Sequence, residues 1–369
     1  MITGLARSFP PDDVERRIGD VAAARALVTQ RRPDVLVLLN RRRAVYHDVY
    51  GGSAQRYLER AESAVLLALA RMGVRHGSFG GDFHDYHNED HVLEILDRRI
   101  GRVLGQEGVS ALPGRDWLAL SLFAACHDLR QRDSVGYRTG VGDNEAASIA
   151  ETHRILDLAG FDAEADRELY AALEVMIAGS TFDATPHPPN YNSAEVLTEG
   201  GPLAPKLPEQ FDATLPGWRA DAQLVRATEL ALIASDLDTA NVGERFAELA
   251  ASAARLAAER EMRSGRALSS ADSGKPVLGF LTDGQERYFF DLHRFCSALG
   301  NAVFGKGKEF NAPRVRALAA ALRARFGARP AGSYTGREVI DAHLALAETV
   351  KKEKKSRRHR RRPSNLVPV

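Results

Sequence analysis

Over most of its length the chain spaces its apolar residues three and four apart and is rich in Ala, Leu, Arg and Glu. Only residues 35–39 form the compact apolar run of a strand, and that run also suits a helix. This pattern commits the chain to an all-α class, a helical bundle. Residues 116–128 are apolar nearly all round, which marks a buried helix. Further helices are expected over 143–158, 163–178, 221–241, 244–263, 285–299, 313–326 and 337–354. The first eighty residues read as helix broken at Gly51-Gly52 and Gly80-Gly81.

The expected organisation is a helical lead-in over 1–57 and a bundle over 58–327. A linker and C-terminal helix follow over 328–350, and 351–369 is a disordered basic tail. Residues 181–221 carry seven prolines and little periodicity, so they are expected to form a functional loop or lid. With 44% hydrophobic residues, 369 residues can bury a sizeable core. The longest apolar run, 117–126, is ten residues with Ser121 inside it, too short to cross a bilayer. Pro10, Pro11, Asp12 and Asp13 deny the N-terminus the layout of a signal peptide. Two cysteines in apolar surroundings exclude a disulfide framework, and a reducing cytoplasm is expected.

The net charge of +1 hides an asymmetry. Residues 351–369 hold nine Lys/Arg and one Glu, so the remainder is at −7. An acidic body is a poor general nucleic-acid binder. The basic tail could contact a polyanion, or stay solvated.

Three His-Asp dipeptides occur, at 47–48, 84–85 and 127–128, where 11 His and 25 Asp give about one by chance. His127-Asp128 ends the most apolar helix, and a buried Asp is rare unless paired or metal-bound. Tyr86-His87-Asn88-Glu89-Asp90-His91 opens a second helix, with His87 and His91 four apart and so on one face. Ser235-Asp236-Leu237-Asp238 sits late in a third helix, where a carboxylate wants a cation or a strong donor. Asp143-Asn144-Glu145 starts a fourth, where acidic residues suit the helix dipole. Imidazole and carboxylate donors suit Zn, Mn, Fe or Mg, and helices of a bundle can bring them to one centre. Each element read singly also fits a plain helix end.

In this order and spacing the chain resembles the HD superfamily of metal-dependent phosphohydrolases over roughly residues 58–299. The likeness is to the branch with a Tyr-His-Asn-x-x-His opening, which includes the class I cyclic nucleotide phosphodiesterases. Bacterial HD phosphohydrolases with an Asn-Glu-x-x-Ser helix after the His-Asp are also similar. The resemblance implies two divalent metal ions. His91, His127, Asp128 and Asp236 would hold the tighter one, and Asp128 would bridge to the second. His87 would donate a proton to the leaving alkoxide, and Glu145 would hold metal-bound water. Asp238 is a rival to Asp236 or a supporting residue. Where the phosphodiesterases carry His-Asp-x-x-His, this chain has Gln131, and no purine-clamping Gln is placed. The implied function is hydrolysis of a phosphoester of a nucleotide or similar small molecule, with a cyclic 3',5'-diester as the leading substrate. The alternatives are a nucleoside or alarmone polyphosphate hydrolase, or a metal-binding scaffold with a polyanion-binding tail.

Other residues have weaker claims. His84 reads as an exposed loop residue or a substrate contact, and His153 as a surface histidine. His187 could cover the site, and Cys126 reads as inert packing. Arg130, Arg132 and Arg138 could hold phosphate oxygens or form a charged loop.

Overall fold

The computed structural model of the chain describes residues 3–131, 141–182 and 201–360. These residues are all-α, with no strand among them and one isolated bridge, Phe182 to Pro202. Among the described residues no helix is long and apolar enough to cross a membrane. The described residues pack as two compact units. The first runs to Ala240 and includes His293–Val303; the second comprises Asn241–Leu292 and Phe304 onward. The division falls inside the stretch 58–327 that reads from sequence as one bundle.

The first unit opens with α1 (Asp13–Arg17), α2 (Val21–Arg31) and α3 (Pro33–Tyr50). The strand-like run at 35–39 is therefore helix, with Pro33 supplying the fixed φ that suits a first turn. Then come α4 (Gln55–Arg75), α5 (Glu89–Leu93), α6 (Ile100–Glu107) and α7 (Gly114–Cys126). A π-helical turn, Glu94–Arg99, joins α5 to α6. The unit continues with α8 (Asp143–Leu158), α9 (Arg167–Ser180), α10 (Leu207–Thr214) and α11 (Ala222–Asp238). Of the expected lid at 181–221, residues 183–200 lie outside the described residues, and the later part is helical rather than loop.

Helix α7 is the centre of this core. Leu120, Leu122, Phe123, Ala124 and Ala125 are fully buried, as its all-round apolar sequence demands. Truncating Phe123 to Ala should cost about 3–5 kcal/mol. Helices α9 and α11 pack along their lengths, and the contact is close because small residues meet there. A Cβ on Gly179 would stand only 3.3 Å from that of Ala231.

The second unit holds α12 (Phe246–Arg263), α13 (Gly274–Gly279), α14 (Gln285–Arg287), α15 (Ala298–Phe326) from Phe304 onward, and α16 (Gly336–Arg360). Its core gathers Ala253, Ala257, Val277, Leu281, Leu322, Phe326, Tyr334, Val339 and Ile340. The Gly/Pro-containing link before α16 belongs to this core through Tyr334, and Gly336 N–H donates to Ser273 Oγ at 2.8 Å. The helix expected over 285–299 is interrupted at 293–297. Two of the backbone N–H groups there are taken by a side chain, described next.

Candidate metal centre

Helix α7 ends in the site. The backbone N–H of His127 still donates to Phe123 O at 2.9 Å, and its ring stacks on Phe123 with centroids 4.7 Å apart. Its Nδ1 is 3.2 Å from Ala124 O, which fixes Nδ1 as the N–H and turns Nε2 inward. That Nε2 is buried and makes no well-aligned hydrogen bond, though carboxylates flank it. It stands 3.1 Å from Asp128 Oδ2 and 3.5 Å from Asp238 Oδ1.

His91 comes from α5, whose start is set by the Asn88 side chain accepting from Asp90 N–H at 3.0 Å. Its Nε2 is 3.0 Å from Asp238 Oδ1 and 3.8 Å from Asp128 Oδ2. The rings of His91 and His127 are 5.5 Å apart. The π-helical turn begins three residues later, and such turns occur often beside functional sites. Its last residue, Arg99, is fully buried and donates from Nη1 to Leu237 O at 2.8 Å and to Asp238 O. The guanidinium thus caps the C-terminal end of α11, where a cation suits the helix dipole. Asp238 is the last residue of that helix.

One ligand atom each from His91, His127 and Asp238 lie within 4.8 Å of one another. Ligands about 2.1 Å from one ion sit roughly 3 to 4 Å apart, so the measured spacings fit a shared divalent cation. The inward-facing Nε2 of His127, buried between two carboxylates, fits it too. The electrostatics agree. Burial disfavours a charged His127, but the Asp128 and Asp238 carboxylates outweigh it and raise its pKa well above 6.5. Burial lowers His91. Asp128 is held at about 2 against its burial, by His127 first and then His87. Asp238 is held well below its usual range, against its burial, by bonds to His127 and His91.

Asp238, not Asp236, therefore occupies the carboxylate position in this group. The two are two residues apart on α11, so their side chains leave the helix on different sides. Asp236 accepts from Cys296 N at 2.6 Å on Oδ1, and from Ser297 N at 2.8 Å and Ser297 Oγ at 2.6 Å on Oδ2. Burial still raises it to about 6. These bonds break the expected helix at 293–297 and set the start of α15. Gly300 allows the approach, since a Cβ there would meet Asp236 Oδ2 at 2.2 Å.

His87 precedes the N-cap Asn88, so it does not share a helical face with His91. Their ring centroids are 6.4 Å apart at 77°. It is half-buried, and its charge acts on both Asp128 and Glu145. Glu145 lies in the first turn of α8, raised to about 7 by burial and then by the Asp128 charge. Gln131 is buried and donates from Nε2 to Asp128 Oδ1 at 2.6 Å.

Several residues go elsewhere. Arg130 pairs with Glu15 at 3.1 Å and Glu151 at 3.6 Å in a buried network rather than facing a phosphate. His153 pairs with Glu174 at 3.2 Å. Cys126 is buried and pushed up to about 12, so it is inert packing. Arg132, Arg138 and His187 lie outside the described residues. His84 is fully buried, not a loop residue in solvent. Its ring centroid is 5.0 Å from that of His76. Sequence reading missed His76, which burial lowers to about 3 and whose neighbours include His87 and Asp128. No spacing motif marks it; the signal was only its place at the end of α4.

No family model matches the chain, and no curated protein matches it.

Proposed function

We propose that the chain is a metal-dependent phosphohydrolase of the HD kind, acting on a phosphoester of a nucleotide or similar small molecule. The observation that carries the reading is the meeting of His91, His127 and Asp238, on or beside three separate helices, with one ligand atom of each within 4.8 Å of the others. These three would hold a divalent ion, with Asp128 beside them. Such an ion polarises a phosphoryl oxygen and makes water a better nucleophile near neutral pH.

The chain's own groups supply the proton transfers. Glu145, poised at about 7, is matched to accept a proton from an attacking water. His87, half-buried next to Asp128, is the donor proposed for the leaving alkoxide. A second ion on Asp128 is compatible with Gln131, because a carboxylate oxygen that accepts one hydrogen bond keeps a second lone pair. A cyclic 3',5'-diester is the leading substrate within this reading, and a nucleoside polyphosphate its rival.

A second reading, a metal-holding scaffold without turnover, is favoured by Gln131 standing where the related enzymes have His. The experiment is a substrate panel. The chain is purified, its metal content measured, and cyclic, linear and polyphosphate nucleotides are offered with Mn and Mg. A cyclic diester converted to one monophosphate, with no free phosphate or pyrophosphate, supports the leading assignment. Bound metal with no turnover on any of the panel supports the scaffold.

A further inference from the structure

His91 belongs to the first turn of α5, directly after the N-cap Asn88 and two helical residues. The first turn is where a helix holds itself least, because its opening N–H groups have no partner further back. A metal ligand placed there needs a hold from outside the helix. Glu89, between His87 and His91, supplies one. It is only 2% exposed, and its carboxylate turns back to the end of α4. There it accepts the backbone N–H of Ser78, at 3.0 Å on Oε1 and 3.3 Å on Oε2, and Ser78 Oγ donates to it as well. Arg32 Nη1 stands 3.6 Å from Glu89 Oε1 and pairs with Asp90 at 2.9 Å. Gly77 leaves the room: a Cβ there would lie 1.9 Å from Glu89 Oε2.

Ser78 and Glu89 are 11 positions apart, so their bonds close a loop at its neck. That loop carries Tyr86 and His87, and compact loops with tied ends are frequent carriers of functional groups. Its interior is fastened too. His84 N–H donates to His76 O at 2.9 Å, and Asn88 Nδ2 to His84 O at 2.6 Å. The Tyr86 ring lies 4.8 Å from that of His91. Residues two apart on a helix point roughly 200° from each other. Glu89 therefore anchors the side of α5 opposite the one that presents His91. An acidic residue in a first turn also suits the helix dipole. That role asks neither for burial nor for a glycine against the carboxylate.

We propose that Glu89 is a positioning residue of the metal centre. Clamped on Ser78 over Gly77, it fixes both the turn that presents His91 and the loop that carries His87. The inference rests on the metal centre proposed above and names a group outside its ligands on which their arrangement depends. Partners that orient a ligand typically carry 10- to 100-fold in metal affinity.

The test is titration of the full chain, stripped of metal by a chelator, with Co(II), whose visible absorption reports the number and arrangement of its ligands. Co(II) takes the same imidazole and carboxylate donors. Glu89→Ala should weaken binding about 10- to 100-fold and change the shape of the band. Gly77→Ala should do the same with the carboxylate retained, because the new Cβ displaces it from Ser78; it carries the comparison if Glu89→Ala does not fold. Glu89→Gln should keep most of the affinity and the wild-type band, since its amide oxygen still accepts from Ser78. Urea unfolding of the metal-free variants is followed alongside. A wild-type band and affinity in both alanine variants, with only the urea midpoint lowered, would overturn the proposal and leave the metal centre standing. Glu89→Gln as weak as Glu89→Ala would overturn it too, since charge and not the hold would then be at work. A wild-type chain that takes up neither Co(II) nor Mn(II) would overturn the proposal and the metal centre together.

Discussion

Gln131 donates a hydrogen bond to Asp128 Oδ1 at 2.6 Å while Asp128 Oδ2 faces His127 Nε2 at 3.1 Å. One side chain thus sets the angle of a carboxylate whose other oxygen faces the candidate ligand group. Partners of this kind typically carry 10- to 100-fold in metal affinity. Gln131→Ala should lower affinity by about that range, read by titration with Mn or Zn. Gln131→Glu should lower it less, because its protonated form can still donate.

The two aspartates of α11 should separate cleanly. Asp238→Asn should abolish stable metal binding, measured as metal content after dialysis. Asp236→Asn should retain the metal and lose about 1.5–3 kcal/mol of stability, the usual worth of hydrogen bonds to a charged group. Metal loss confined to the Asp236 variant would reverse the assignment.

His87 should matter for turnover and not for binding. His87→Ala should keep its metal and lose about 100- to 10,000-fold in rate on whatever phosphoester the panel identifies. Loss of metal from that variant would make His87 a ligand instead.

Glu15 is buried and meets Arg71 at 3.3 Å, Arg130 at 3.1 Å and Arg154 at 2.7 Å. Removing one partner from a buried ionic network leaves uncompensated charge and costs about 3–5 kcal/mol. Glu15→Ala should therefore lower the urea midpoint markedly. Arg154→Met, at a partly exposed position, should lower it much less.

In the second unit, His343 is buried beside Ala250 O at 3.1 Å, and burial lowers it from 6.5 to about 4. As pH falls, the unfolded chain protonates this histidine before the folded chain does. Stability is thus lost progressively from about pH 6.5 down to pH 4, by about 3 kcal/mol in all. His343→Gln should flatten that slope, as seen in the melting temperature of this unit between pH 7 and pH 4.

Helices α7 and α8 were legible because their apolar patterns and end signals are local. His127 was legible because a His-Asp pair closing a buried apolar helix is conspicuous, and His91 because it stands four residues after His87, although the two do not share a helical face. The choice between Asp236 and Asp238 was not, since it depends on the rotation of α11 about its axis, and both follow the same apolar run. The break at 293–297 was hidden for the same reason: its cause is a carboxylate 60 residues earlier. The buried network around Glu15 joins groups as far apart as 139 positions, and its arginines look in sequence like solvated charge.

His91 and its partner Asp238 are 147 residues apart along the chain. At about 5–20 residues per second, a ribosome needs roughly 7 to 30 s to travel from one to the other. For the last 110 of those residues the nascent chain already carries both imidazoles and Asp128 but lacks the carboxylate that completes the group. The group of three is then completed late in biosynthesis, with the arrival of α11, and a chain stalled before that helix would leave the ribosome with the group unfinished.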